Sequence, residues 1–138
     1  MVLSDKLFPH DISAEESVIG SLLLDGMSFT KIASFLEPEH FYLEPNKIIF
    51  EIARDLFNRQ EPINQITIAH ELETQEKLEE VGGRAYLAKV VDVVPTSIHI
   101  KHYANLVRRT ATMRTLINAA ENISQCRRVS VPPNSVAH

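Results

Sequence analysis

The sequence is poor in cysteine and tryptophan and has no long apolar run. Among its 138 residues there is one cysteine, Cys126, and no tryptophan, so no internal disulfide can form, which fits a reducing compartment. No apolar run approaches the roughly 20 residues of a membrane-spanning helix, and the first residues lack the basic region and apolar core of a secretory signal. These absences predict a soluble, cytoplasmic, single-domain chain without membrane contact.

The sequence also lacks the motifs that carry catalytic chemistry. A phosphate-binding loop needs a glycine-rich turn followed by lysine, and the sequence has no Gly-Lys dipeptide. His70 opens a segment like a zinc-protease helix, but Thr74 stands where the second histidine belongs. His99 and His102 have no carboxylate or cysteine nearby to complete a metal site. We therefore predict no catalytic, cofactor-binding or metal-binding residue, with a hydrolase around His70 or the His99/His102 pair as an alternative.

Charge is divided unevenly along the chain. Residues 1–100 have a formal charge of −9, whereas residues 101–138 carry +5 and a single acid, Glu121. A basic end on an acidic body indicates that the two regions meet different surroundings. One alternative is therefore a small helical module that binds nucleic acid through its C-terminal arginines. The acidic pI of about 5.8 and the lack of aromatic residues between the bases argue against it.

Helical spacing of apolar residues indicates an all-α fold. Ser13 and Glu16 have the spacing of a capping box that begins the first helix, and Gly20 inside this helix predicts close packing against another helix. Further helices are expected over 29–36, from Pro45, from Asn64 and after the glycine pair at 82–83. The helix from Pro45 has barely any polar face and is expected at the centre of the core.

The last helix is expected to be the longest. It is predicted over residues 97–125, about 40 Å at 1.5 Å per residue, which is longer than a compact core of this size can cover. Part of it should protrude. We expect an N-terminal extension at 1–12, a globular helical head at 13–96, this protruding helix, and a disordered tail at 126–138. Its apolar residues alternate at three and four positions, which is the seam of a helix that pairs with another helix.

Several motifs, in order along the chain, resemble one family. Residues 9–20, Pro-His-Asp-Ile-Ser-Ala-Glu-Glu-Ser-Val-Ile-Gly, are similar to the opening of the N-terminal domain of bacterial replicative DNA helicases of the DnaB type. Matching motifs follow at 41–42, 49–50, 62–64, 81–87, 94–96 and 103–108. The resemblance covers residues 9–125, and the order and spacing of the motifs make it specific.

This resemblance implies an all-helical head followed by a helical hairpin whose first arm is residues 97–125. In the family, six such domains form a collar on the hexamer, often as a trimer of dimers. The collar binds the C-terminal domain of primase, helicase loaders also engage the helicase, and DNA is contacted through the motor domain. The family's second arm, linker and ATPase domain have no counterpart in this sequence, and residues 126–138 do not match the hairpin turn.

We therefore expect a non-catalytic assembly and docking domain that needs no cofactor. Its interface is predicted on the long helix, with six apolar positions and three arginines at the rim. The apolar positions are Tyr103, Leu106, Met113, Leu116, Ile117 and Ile123, and the rim residues are Arg108, Arg109 and Arg114.

Overall fold

The computed structural model describes residues 9–130, and the side chains of residues 9–123. The predicted all-α class is confirmed, and no strand occurs in this part of the chain. The helices are α1 (Ile12–Leu24), α2 (Glu44–Asn58), α3 (Gln65–Thr74), α4 (Leu78–Val81), α5 (Gly83–Val93) and α6 (Ile100–Ser130). Two 3-10 segments, Gly26–Lys31 and Pro38–His40, lie between α1 and α2.

Helix α1 begins through a different cap from the one expected. The Asp11 side chain accepts a hydrogen bond from the backbone N–H of Ala14 (3.0 Å), so Asp11 is the N-cap. The predicted capping box is wrong, because Ser13 already lies inside the helix, and the Glu16 carboxylate instead meets Lys89 Nζ at 3.2 Å. Aspartate caps as well as serine does, and Asp11 is the non-helical residue that directly precedes the helix.

The segment after α1 also differs from expectation. The predicted helix over 29–36 is instead the 3-10 segment Gly26–Lys31 followed by turns. Its N-cap is Asp25, whose carboxylate accepts from the N–H of Met27 at 3.2 Å. The apolar residues Phe29 and Ile32 are still buried, so the segment closes the core without a full α-helix.

Two other predicted helix starts are confirmed. Pro45 lies in the first turn of α2, where its missing N–H costs no hydrogen bond. The Asn64 side chain accepts from the N–H groups of Ile66 and Thr67, both at 2.9 Å, and so caps α3.

Helix α1, and not α2, is the element that the other helices surround. It packs against α2, α5 and α6, and even its small residues Ser17 and Ser21 are buried, whereas α2 keeps an exposed face that includes Glu51 and Asp55. Gly20 permits the close approach, since a Cβ there would lie 2.1 Å from the carbonyl oxygen of Val90 in α5. The close packing predicted at Gly20 is therefore present.

The first part of helix α6 packs against the head, and the rest of the helix extends beyond it. It runs from Ile100 to Ser130, about 46 Å at 1.5 Å per residue, so it starts three residues later than expected and continues past residue 125. The tail expected at 126–138 is therefore helical through Ser130, and residues 131–138 lie outside the described part. The residues of α6 that the head buries are Ile100, Ala104, Val107 and Ala111. We call the stretch after Ala111 the arm.

Candidate protein-interaction surface

The arm carries apolar side chains on the face turned away from the head. Met113, Leu116 and Ile123 are 45%, 64% and 61% exposed, and Ala120 between them is exposed as well. At 3.6 residues per turn, these four residues point opposite to the buried residues of α6. We call Met113, Leu116, Ala120 and Ile123 the outer stripe. Large side chains grouped in this way at coiled-coil spacing are typical of a surface that another helix covers.

The other predicted apolar positions belong partly to the head. Tyr103 and Leu106 are half-buried and pack against the core, and Ile117 is half-buried. The predicted interface residues are therefore divided between two faces of α6, one toward the head and one toward solvent. The inward face was visible in the sequence as a second stripe at three- and four-residue spacing, but two of its members are alanines, which give a weak hydrophobic signal.

Two of the predicted arginines are exposed on α6. The guanidinium of Arg108 lies 5.9 Å from the centre of the Phe35 ring, and Arg109 faces solvent. Within the described side chains, neither residue forms an ion pair, and Lys101 forms none either. Bases of the head do form ion pairs, namely Lys47, Arg54, Arg59, Arg84 and Lys89. Three of the bases without an ion pair among the described side chains therefore lie on α6.

The third predicted rim residue, Arg114, is half-buried and hydrogen-bonded to the backbone of the head. Its guanidinium donates to the carbonyl oxygens of Pro9 (2.9 Å) and His40 (2.8 Å) and lies 5.2 Å from the centre of the Tyr42 ring. Burial lowers its pKa from the ordinary arginine value. Arg114 therefore fixes the start of the arm to the head, and it is not a free charge at the rim.

A buried carboxylate organises the region that Arg114 contacts. Glu15 is 0% exposed and accepts hydrogen bonds from the N–H groups of Tyr42 (2.6 Å) and Leu43 (3.3 Å) and from Asn46 Nδ2 (2.9 Å). These donors surround the N-terminus of α2, where a negative charge is favoured. The spacing of Glu15 from Val18, Ile19 and Leu22 on one helix face is the signal in the sequence that its side chain points inward.

Two titratable groups border this network. Burial, reinforced by Glu16 and Glu15, raises the pKa of Tyr86 to about 12, although its hydroxyl donates to Asn46 Oδ1. His40 Nδ1 accepts from the N–H of Glu37 at 3.0 Å. Desolvation lowers the pKa of His40, which keeps the imidazole in the neutral form that this bond requires.

The most exposed large apolar residue in the described part of the head is Ile66. Ile66 on α3 is 76% exposed and lies between two shallow grooves of about 310 and 390 Å³. Leu23, Arg84 and Leu87 contribute to the first groove, and Arg59 contributes to the second. This surface is separate from the arm, and no sequence argument singled it out.

The histidines considered as catalytic or metal-binding candidates are exposed. These are His70, His99 and His102. Among the described side chains, no three His, Cys, Asp or Glu residues come together to hold a metal ion, and the side chain of Cys126 lies outside the described part. The helices of residues 9–130 include none that is long and apolar enough to cross a membrane.

Solved structures of similar architecture define the class of this fold. The crystal structure of the N-terminal domain of DnaB helicase from Mycobacterium tuberculosis matches with a TM-score of 0.86 and 31% identity, over 94% of this chain and 90% of that one. The fold is thus that of helicase N-terminal helical domains. A structure of a DnaB-like replicative helicase and its interactions with primase matches with a TM-score of 0.76 and 26% identity, over 86% of this chain and 28% of that one.

The sequence comparisons agree with this class. The family described as DnaB-like helicase N terminal domain matches residues 7–109, and the chain belongs to this family. The replicative DNA helicase DnaB of Geobacillus stearothermophilus is 35% identical over 124 residues, and the replicative DNA helicase DnaC of Bacillus subtilis is 36% identical over 124 residues. Each match covers 90% of this chain but 27% of the relative, so the chain spans about a quarter of their length. The resemblance predicted from the motifs is confirmed.

Proposed function

We propose that this chain is a non-catalytic assembly and docking domain of a replicative DNA helicase, acting in the cytoplasm during DNA replication. It would join protomers to one another, as a dimer or within a hexameric collar, and bind the C-terminal domain of primase. The observation that carries the proposal is the outer stripe, since a family member that presents large apolar side chains to water along a projecting helix has a surface suited to another protein.

Self-association is the part of the proposal that the arm supports most directly. A neighbouring helix would remove Met113, Leu116 and Ile123 from water. Each Å² of apolar surface buried in this way would stabilise the pair by roughly 25 cal/mol. A stable interface buries about 1,200–2,000 Å² in total, which is more than these side chains supply. Tyr103, Leu106, Ile117 and surrounding polar surface would contribute the remainder, with Arg108 and Arg109 at the rim.

Primase binding is supported by relatives. Two similar structures, that of a DnaB-like replicative helicase and that of the N-terminal domain of DnaB helicase from Helicobacter pylori, concern interactions with primase. The surface around Ile66 and the outer stripe are two candidate apolar surfaces for such a partner. A helicase loader is a further partner implied by the family, and the same binding assay applies to it.

Sedimentation of single variants tests the role of the arm. Met113→Asp and Leu116→Asp each place a charge on the outer stripe, whereas Thr115→Asp places one on an exposed position of α6 off the stripe. We expect the first two variants to weaken self-association by at least about tenfold, since burying an unpaired carboxylate is costly. Helix content measured by circular dichroism should stay unchanged in all three. Equal sedimentation of all three variants and the parent chain would refute the assembly role.

Binding of the primase C-terminal domain separates the two surfaces. Ile66→Asp should weaken binding if the head receives primase, and Leu116→Asp should weaken it if the arm does. The variant that is not involved serves as the control for the other. If neither variant changes the affinity, the docking proposal fails even where self-association stands.

A second candidate function is binding of nucleic acid by α6. It is favoured by Lys101, Arg108 and Arg109, which form no ion pair within the described side chains. A titration with single-stranded DNA at two salt concentrations tests it, because contacts with phosphates make affinity fall steeply with salt. Tight, salt-dependent binding that Arg108→Glu and Arg109→Glu abolish would favour this candidate over docking.

A further inference from the structure

Three residues follow one side of the arm next to the outer stripe, namely Arg114, Ile117 and Glu121. Their spacing of three and four residues places them on one face of α6, about 100° around the helix from the stripe. Within residues 115–123, Ile117 is half-buried and every other residue is exposed. We call Arg114, Ile117 and Glu121 the flank. It starts at a residue that the head holds and continues through an apolar residue to an acid.

The first described residues of the chain lie beside the flank. The carbonyl oxygen of Pro9 accepts a hydrogen bond from the Arg114 guanidinium at 2.9 Å. The ring of His10 stacks on the ring of Tyr42, with ring centres 4.4 Å apart, and the Tyr42 ring centre is 5.2 Å from the Arg114 guanidinium. Residues 1–8 lie outside the described part, and they join the described chain here, at the start of the arm.

The direction of α1 points the preceding chain along the arm. Helix α1 ends near the start of α6, where the Ser97 hydroxyl donates to Asp25 Oδ2 at 3.4 Å, and it begins near Arg114. The two helices are therefore antiparallel, and the chain traced backward from α1 runs toward the end of the arm. A residue before proline is restricted to extended backbone, so Phe8 should continue in this direction.

We propose that residues 1–8 lie in extended form along the flank of their own chain, with Phe8 on Ile117 and Lys6 at Glu121. In an extended segment, every second side chain points to the same side, about 6.6 Å apart. Ile117 and Glu121 are four residues apart on a helix, which is about 6 Å. Because the two spacings match, an aromatic side chain meets the apolar residue of the flank and a base meets its acid.

Charge supports this placement of the segment. Lys6 is the only base among residues 1–8, and Glu121 is the only acid after position 100. Glu121 forms no ion pair with another described side chain. The opposite facing of the segment, with Leu7 on Ile117, would place Asp5 at Glu121, and the two like charges would repel each other.

The segment in this position would leave the outer stripe open. The stripe lies about 100° further around α6, so a partner could still cover it. That partner would then border residues 1–8, and the segment would form one edge of the interaction surface. The contact itself does not depend on the proposed function, because it lies within one chain.

Disulfide formation within one chain tests the contact at Ile117. In a Cys126→Ser background, Phe8→Cys is combined with Ile117→Cys, and in a control with Thr115→Cys. Thr115 is exposed and lies about 160° around the helix from Ile117. Under mild oxidation at low protein concentration, we expect the first variant to lose both free thiols at least about tenfold faster than the control, because its cysteines come within disulfide reach.

Two outcomes of this experiment would overturn the proposal. Equal rates in the two variants would mean that the segment has no preferred place on the arm. A disulfide that forms between two chains instead of within one would assign the flank to the segment of a second copy.

A charge exchange tests the position of Lys6 by an independent route. In the variant that combines Phe8→Cys with Ile117→Cys, Lys6→Glu and Glu121→Lys should each slow disulfide formation about threefold, the scale expected for an exposed ion pair. The two charge changes together should restore the rate. Asp5→Lys is the matched control on the side of the segment that points away from the arm, and it should leave the rate unchanged. Failure of the double exchange to restore the rate would overturn the register.

Failure of this contact and failure of the proposed function are distinguishable. A chain that forms the internal disulfide but neither self-associates nor binds primase keeps the contact and loses the proposed function. A chain that associates but forms no internal disulfide loses only the contact.

Discussion

The head and the arm of this chain differ in how far they bury apolar side chains and pair basic ones. The head buries most of its leucines, isoleucines and phenylalanines in one cluster and places many of its bases within reach of carboxylates. The arm leaves Met113, Leu116 and Ile123 largely in water. Because apolar burial is the main source of folding free energy, we expect the head to determine the stability of the chain and the arm to determine its association.

The strongest test of this difference is to replace one leucine by alanine in the head and one in the arm. Leu22→Ala removes a side chain that is 1% exposed and should lower the free energy of unfolding by about 4 kcal/mol, because it leaves a cavity. Leu116→Ala removes one that is 64% exposed and should change stability by less than about 0.5 kcal/mol. Urea denaturation at low protein concentration measures both, and equal losses would contradict the division.

Replacing the buried carboxylate tests whether the head also depends on polar contacts. Glu15→Leu leaves the N–H groups of Tyr42 and Leu43 and the Asn46 amide without their acceptor. We expect a loss of about 3 kcal/mol, since buried donors without partners are costly. Glu16→Leu is the matched control, because Glu16 makes one ion pair with the exposed Lys89, and it should cost less than about 1 kcal/mol. A smaller loss for Glu15→Leu than for Glu16→Leu would show that the network does not stabilise the head.

The boundary between the two regions is tested at Arg114. Arg114→Ala removes the hydrogen bonds to the carbonyl oxygens of Pro9 and His40 and should cost about 1.5 kcal/mol. Arg109→Ala, five residues earlier and facing solvent, should leave stability unchanged. Amide exchange gives a second measurement, since only Arg114→Ala should speed exchange in residues 10 and 11, which follow Pro9. Equal exchange in both variants would mean that Arg114 does not fasten the arm.

The smallest expected effect is a dependence of head stability on pH through His40. Burial lowers the pKa of this imidazole, with Arg108 and Arg114 acting in the same direction and Glu37 and Glu39 opposing it. The unfolded chain therefore binds a proton more readily, so this contribution is complete above about pH 6.5 and is lost as the pH falls through the lowered pKa.

His40→Asn supplies an uncharged acceptor for the N–H of Glu37 and should remove this contribution. The comparison is the melting temperature of both proteins between pH 7.5 and pH 5. We expect the parent chain to lose more on acidification. Parallel curves would show that His40 does not contribute.

Much of the fold was predictable from the sequence because it depends on neighbouring residues. The helix starts near Pro45 and at Asn64, the helix after the glycine pair, and a long final helix all follow from local rules. The first helix cap was assigned two residues too late, at Ser13 instead of Asp11. The 3-10 segment at Gly26–Lys31 was assigned as a later α-helix, because apolar spacing alone does not distinguish short helices.

The sequence was sufficient to predict which helix carries the candidate interface, but not which face of that helix. Periodicity marked Met113, Leu116 and Ile123, which are exposed, but it also marked Tyr103 and Leu106, which pack on the core. Two alternating stripes run along α6, and the sequence contains no measure of which stripe meets the head.

Local spacing and composition alone determined that this chain forms helices, that its last helix outgrows its core, and which family its motifs resemble. Only the tertiary structure decided that Glu15 is buried, that Arg114 is fastened to the head and that the outer stripe faces away from it. These facts depend on groups far apart in the chain, such as Glu15 and Tyr42, or Arg114 and Pro9. Such groups become neighbours only when the helices pack. Packing also creates the low-dielectric surroundings in which a buried charge requires partners.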